Sequence, residues 1–262
     1  MIDSVAWAAL GTGFTFLMTA LGAALVFFFR GAVSDSFSRV SMGFASGVML
    51  AAGIWSLLLP AMETAAGQGQ PGFLVASVGS LSGALGMLLT DHLVSLLRSR
   101  IRKNSADKAW KRTAMLVFAV TLHNLPEGMA VGLAFALSAG ADEAAFAGAV
   151  ALAVGIGVQN LPEGAAISLP MRRSGRGVWR SFACGGLSGA VEPIFGVLAV
   201  LAAGTAVRLN PWLMAFAAGA MFWTVFQELL PDALEKGKRM PGAAGLAAGF
   251  LLMMLLDILL GS

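Results

Sequence analysis

Two stretches of the chain repeat one pattern of chemistry-bearing residues. His123-Asn124-Leu125-Pro126-Glu127-Gly128 returns 36 residues later as Gln159-Asn160-Leu161-Pro162-Glu163-Gly164. In the first copy His123 and Glu127 are four apart, and Asn124 and Glu127 three apart, so all three side chains share one side of a helix. The second copy sets Gln159, Asn160 and Glu163 in the same way. The chemistry such a set suits is cation binding. Imidazole with carboxylate fits Zn²⁺ or Fe²⁺, and mixed amide and carboxylate oxygens also fit Mn²⁺ and Cd²⁺. Each proline lacks an N–H and frees one helical carbonyl, of Leu122 in the first copy and Val158 in the second. Gly128 and Gly164 allow a neighbouring backbone to come close.

These groups stand in an unusual setting. Each copy lies inside an apolar run long enough to cross a bilayer, and ionisable residues at that depth are functional candidates by default. Of the 262 residues, 58% are hydrophobic and only 12% charged. That is too few charges to cover a soluble domain, where about 25% is usual. The reading is a single transmembrane transporter domain over residues 1–262, with the lipid bilayer as its solvent and no role for nucleic acid. The one cysteine, Cys184, rules out an intrachain disulfide. Absence of a positive region ahead of the first apolar run argues against a cleavable signal.

Eight apolar segments would position the motifs: Val5–Phe29, Phe37–Ala61, Phe73–Leu97, Ala114–Ser138, Glu143–Leu169, Phe182–Ala203, Pro211–Leu230 and Ala243–Leu260. Each is near the ~20 residues that a crossing helix needs. The second is expected to end at Pro60, and Arg98–Arg112 to form a basic loop. All but Arg208 of the 17 Lys and Arg fall in alternate loops. By the positive-inside rule this places both termini on the periplasmic side of a bacterial inner membrane. Glu63, Asp142 and Glu143 lie in the opposite set of loops.

Other polar groups add to the centre. Glu192, beside Pro193 in the sixth segment, supplies a third deep carboxylate. Gln227, Glu228 and Asp232, toward the inner end of the seventh, are candidates for an exit pathway. Met49 is mid-helix in the second segment and offers a soft thioether, although on residue type alone it reads as packing. Three carboxylates in hydrocarbon must share protons or a cation. An enzyme is not indicated: no H-E-x-x-H occurs, and Cys184 has no histidine within helical reach. The alternative within transport is a cation/proton exchanger exporting Ca²⁺ or Mn²⁺. His123 and Met49 weigh against it, because Ca²⁺ prefers oxygen ligands throughout.

The two motif copies, with Gln227-Glu228-Leu229-Leu230-Pro231-Asp232, resemble the ZIP family of divalent metal transporters, in its bacterial branch, over essentially the whole chain. The resemblance implies an all-α fold of eight transmembrane helices. Helices one to three and six to eight would be an inverted repeat around a central kinked pair, four and five. It implies metal held through Met49, His123, Asn124, Glu127, Gln159, Asn160, Glu163 and Glu192, as a binuclear site with the Glu127 and Glu163 carboxylates shared. It also implies alternating access, inward movement of Zn²⁺ as the transported substrate, and homodimers. This chain departs from the family pattern in several places. Gln159 stands where many members have His, Asn160 where some have Asp, and Gln227 where the seventh helix often has Glu. The neutral Asn160 removes one charge from the second metal position. No histidine-rich loop is present.

Overall fold

The computed structural model describes residues 2–28, 34–103, 108–139, 143–173, 175–205, 207–235 and 239–260. Within them every regular element is helical. The chain opens with α1 (Ile2–Ala24). α2 (Asp35–Ala52) starts at Ser34, whose hydroxyl caps it by accepting from the Phe37 N–H at 3.2 Å.

The second segment does not end at Pro60. α2 passes through a π-helical stretch, Gly53–Leu58, into α3 (Leu59–Gly67), which has Pro60 in its first turn. A π turn widens the ladder just where proline removes a donor and crowds the preceding turn, so the helix continues. The same solution appears in the seventh segment. Toward the C-terminus α9 (Asn210–Thr224) runs through a π stretch, Val225–Leu229, into α10 (Leu230–Ala233), with Pro231 in its first turn.

Between these lie α4 (Gly72–Lys103), α5 (Lys108–Ser138) and α6 (Glu143–Arg173). The basic loop expected at Arg98–Arg112 is therefore mostly helix, and α4 and α5 overshoot their apolar cores. The sixth segment is broken. α7 (Val178–Leu187) and α8 (Val191–Thr205) are joined by a 3₁₀ turn, Ser188–Ala190, which sets Glu192 and Pro193 in the first turn of α8. Free backbone N–H groups at a helix start favour a carboxylate there. α11 (Arg239–Leu260) completes the chain.

Helices pair in a regular way. α1 packs on α6 and α5 on α8; α2 packs on α11 and α4 on α9. These pairings follow the pattern of an inverted repeat, in which the first segment matches the sixth, the second the seventh, the third the eighth and the fourth the fifth. Two bundles result. One contains α1, α5, α6, α7 and α8, and the other α2, α3, α4, α9, α10 and α11. They meet where α6 faces α2 and α11, and where α5 faces α9. Polar side chains tie pairs of the second bundle. Ser56 Oγ, in the π stretch after α2, lies 2.9 Å from Asp257 Oδ1 on α11, and Trp223 Nε1 on α9 donates to Asp91 Oδ2 on α4 at 2.7 Å. Large apolar residues face outward, among them Leu10, Leu17, Leu81 and Leu89. Such a surface suits hydrocarbon rather than water.

The fold is an all-α polytopic membrane protein with seven to eight long apolar helices. Among the described residues seven spans are long and apolar enough to cross a membrane. The seven spans counted among the described residues are an odd number, which puts the two ends of the chain on opposite faces. The expectation that both termini are periplasmic, which rested on eight crossings and the distribution of basic residues, is thereby overturned.

Candidate metal centre

The two motif copies are brought together by close packing of the first bundle. A side chain on Gly128 would run into the backbone carbonyl of Glu192, and one on Gly164 into the carbonyl of Thr19. These two glycines let α5 approach α8, and α6 approach α1, nearly backbone to backbone. The glutamate before each glycine is thereby carried into the middle of the bundle. Pro126 and Pro162 lie within continuous helices.

Most of the sequence-derived site residues converge there. Asn124, Asn160 and Glu192 are fully buried, Gln159 and Glu127 nearly so, and Glu163 is half-buried. Gln159 Nε2 donates to Glu127 Oε1 at 2.6 Å, joining the two copies directly. Asn160 Nδ2 lies 3.0 Å from both carboxylate oxygens of Glu192 and 3.4 Å from the Thr15 carbonyl. Thr19 Oγ1 donates to Glu192 Oε1 at 3.4 Å.

The centre is under-satisfied. Among the described residues nine buried side-chain polar atoms lack a hydrogen-bond partner, and five of them are here. They are Asn124 Oδ1 and Nδ2, Glu127 Oε2, Gln159 Oε1 and Asn160 Oδ1. Four of the five are oxygens. An orphaned buried polar atom costs on the order of 1–3 kcal/mol, so five in one place call for a ligand or water to meet them. Oxygen lone pairs of amides and carboxylates are what a divalent cation takes.

Other expected residues are placed differently. Met49 is buried on α2 of the facing bundle, in an apolar core that both bundles share. The His123 side chain lies outside the described residues, as does Asp142. No group of three or more described His, Cys, Asp or Glu side chains closes to hold a metal ion. The coordination cluster expected from carboxylates and histidine is thus not assembled among the described residues. Gln227 and Asp232 are exposed and Glu228 half-buried, at the far end of the π stretch. Arg39 donates to the Asp232 carbonyl at 3.3 Å and pairs with Glu235, closing α2 against the end of α10.

Sequence reasoning missed the threonines of α1. Thr12, Thr15 and Thr19 are all fully buried along one face, and two of them touch the Asn160–Glu192 pair. Their three- and four-residue spacing in an otherwise apolar helix was the available signal.

Comparison with known proteins decides the family. The profile described as ZIP zinc transporter matches residues 102–257. The zinc transporter ZIP11 of Xenopus tropicalis is 35% identical across the whole of both chains. The human zinc transporter ZIP11 is 36% identical over 99% of this chain and 98% of its own. The zinc transporter ZIPB of Bordetella bronchiseptica is 36% identical over 98% of this chain and 82% of its own. The chain belongs to the ZIP family. Membership brings the family's general function, divalent-metal transport, and makes the chain a transporter rather than an enzyme. The human ZIP11 and the Bordetella ZIPB match it at equal identity, so membership stands without assignment to a bacterial branch.

Proposed function

We propose that this ZIP protein moves Zn²⁺ into the cytoplasm through the polar centre between α5 and α6, with Fe²⁺, Mn²⁺ and Cd²⁺ as further substrates. The observation that carries the reading is the set of unpartnered buried oxygens on Asn124, Glu127 and Gln159, at the motif copies and between bundled helices. The ion binds at Asn124, Glu127, Gln159, the Asn160 side-chain oxygen and Glu163, with His123 and Met49 completing the set. Burial makes each oxygen contact strong, because little water competes for the ion.

Alternating access follows from the division into bundles. The motif residues all belong to the first bundle, and Met49 alone comes from the second. Sliding of the first bundle against the α2, α9 and α11 surface would carry the carboxylates and their ion past Met49. The ion would then leave toward Glu228 and Asp232, with Gln227 beside them.

Purified protein in liposomes containing a Zn²⁺ indicator tests this. Wild type is expected to give a prompt signal on external Zn²⁺ addition, and Glu127→Ala to give none. No wild-type signal at several pH values, under gradients of either direction, sinks zinc transport. Movement of Ca²⁺ or Mn²⁺ alone would put the exchanger in its place.

A further inference from the structure

The polar centre has an open half and a closed half. In the open half Asn124 has neither amide atom engaged, and Glu127 Oε2 and Gln159 Oε1 have no protein partner. In the closed half Asn160 Nδ2 sits 3.0 Å from each oxygen of Glu192. The same atom lies 3.4 Å from the Thr15 carbonyl, which can only accept, so it is the donor end of the amide. The Thr19 hydroxyl adds to Glu192 Oε1 at 3.4 Å. Glu192 is fully buried, so this bonding offsets its removal from water. A cation reaching Glu192 would have to displace the NH₂ group and leave it facing positive charge.

We propose that Asn160 closes this half to metal, so that each chain holds one divalent ion, and that Glu192 is a positioning residue behind Asn160 rather than a ligand. The proposal rests on the metal-site reading above. Its logic is that of the carboxylates behind ligating histidines, which fix the ligand's orientation and raise its basicity. Donation from Nδ2 to the carboxylate polarises the Asn160 amide and strengthens its Oδ1 as an acceptor. That oxygen has no protein partner. Aspartate at position 160 would replace the donor with a second anion beside Glu192. Two carboxylates that close repel unless they share a proton or a cation, so the substitution creates the second metal position that the wild type lacks.

The test counts ions. Full-length protein in detergent is stripped of metal, loaded with Cd²⁺ and freed of excess, and the bound metal per chain is measured by elemental mass spectrometry. One ion is expected in wild type and two in Asn160→Asp. Glu192→Gln is expected to retain one ion with little loss of affinity, because its carboxamide oxygen still accepts from Asn160. Glu192→Ala is expected to retain one ion, bound several-fold more weakly, with the amide no longer held. Two ions in wild type, one in Asn160→Asp, or loss of the ion in Glu192→Gln would each overturn the proposal. If Asn160→Asp does not fold, the two Glu192 variants decide. No ion in wild type would instead remove the metal site itself, which separates the two failures.

Discussion

The two motif copies share Asn, Leu, Pro, Glu and Gly in the same order, yet the fold uses them differently. In α5 the asparagine is left without partners and the glutamate is held by Gln159 from the other copy. In α6 the asparagine is spent on Glu192 of α8, under the threonines of α1. The first copy keeps both amide atoms of its asparagine available, while the second commits the NH₂ groups of Gln159 and Asn160 to carboxylates on other helices and keeps only their oxygens available. A repeated motif therefore shows where polar groups will meet, while their neighbours decide which remain free for a ligand. Cation binding needs uncommitted lone pairs, and interhelical adhesion commits them.

The largest effect expected from this contrast is on transport. Glu127→Ala should reduce Zn²⁺ uptake to background in the liposome assay. An unaltered rate would move the site away from α5. Next come the glycines that set the helix approach. Gly128→Val and Gly164→Val each force a side chain against a backbone carbonyl. Overpacking of this kind costs about 1–3 kcal/mol or more. Both should lower the melting temperature and the monodisperse yield in detergent, and a normal melting curve for either would contradict the close approach.

The asparagines give the sharpest comparison. Asn160→Ala strands a fully buried Glu192 without its main donor and should cost about 1–3 kcal/mol of stability. Asn124→Ala removes two unpartnered atoms, so it should leave thermal stability unchanged or raised while weakening Zn²⁺ binding. Equal destabilisation by both would erase the distinction between the copies. The smallest effect is expected at Met49. Met49→Leu conserves volume and loses only the thioether, so folding should be unaffected. Preference for Cd²⁺ over Mn²⁺ should fall by a small factor in competition uptake, as a soft ligand is lost. An unchanged preference would assign Met49 to packing.

Much of the site was legible because burial of charge is rare. His123, Glu127, Glu163 and Glu192 stand out in apolar runs wherever the helices pack. The ion-pair geometry at Arg39 and the threonines of α1 were not legible, since their roles depend on which helix lies opposite. The course of the backbone at Pro60 and Pro231 was misjudged at the first of these. A proline reads as a helix end, and only the π turn before it lets the helix continue. The alternation of basic residues suggested an even number of crossings, against the seven apolar spans found among the described residues.

By itself the sequence determined the solvent, the class of fold and the polar residue types buried at its centre. Those depend on how many residues are apolar and on which few are not, and composition and spacing record both. Tertiary structure alone decided that Gln159 serves Glu127, that Asn160 serves Glu192, and that Asn124 serves neither. A hydrogen bond between helices depends on distances of a few tenths of an ångström, set here by the backbone approach at Gly128 and Gly164. No spacing along a single chain encodes which of two identical asparagines will find a partner.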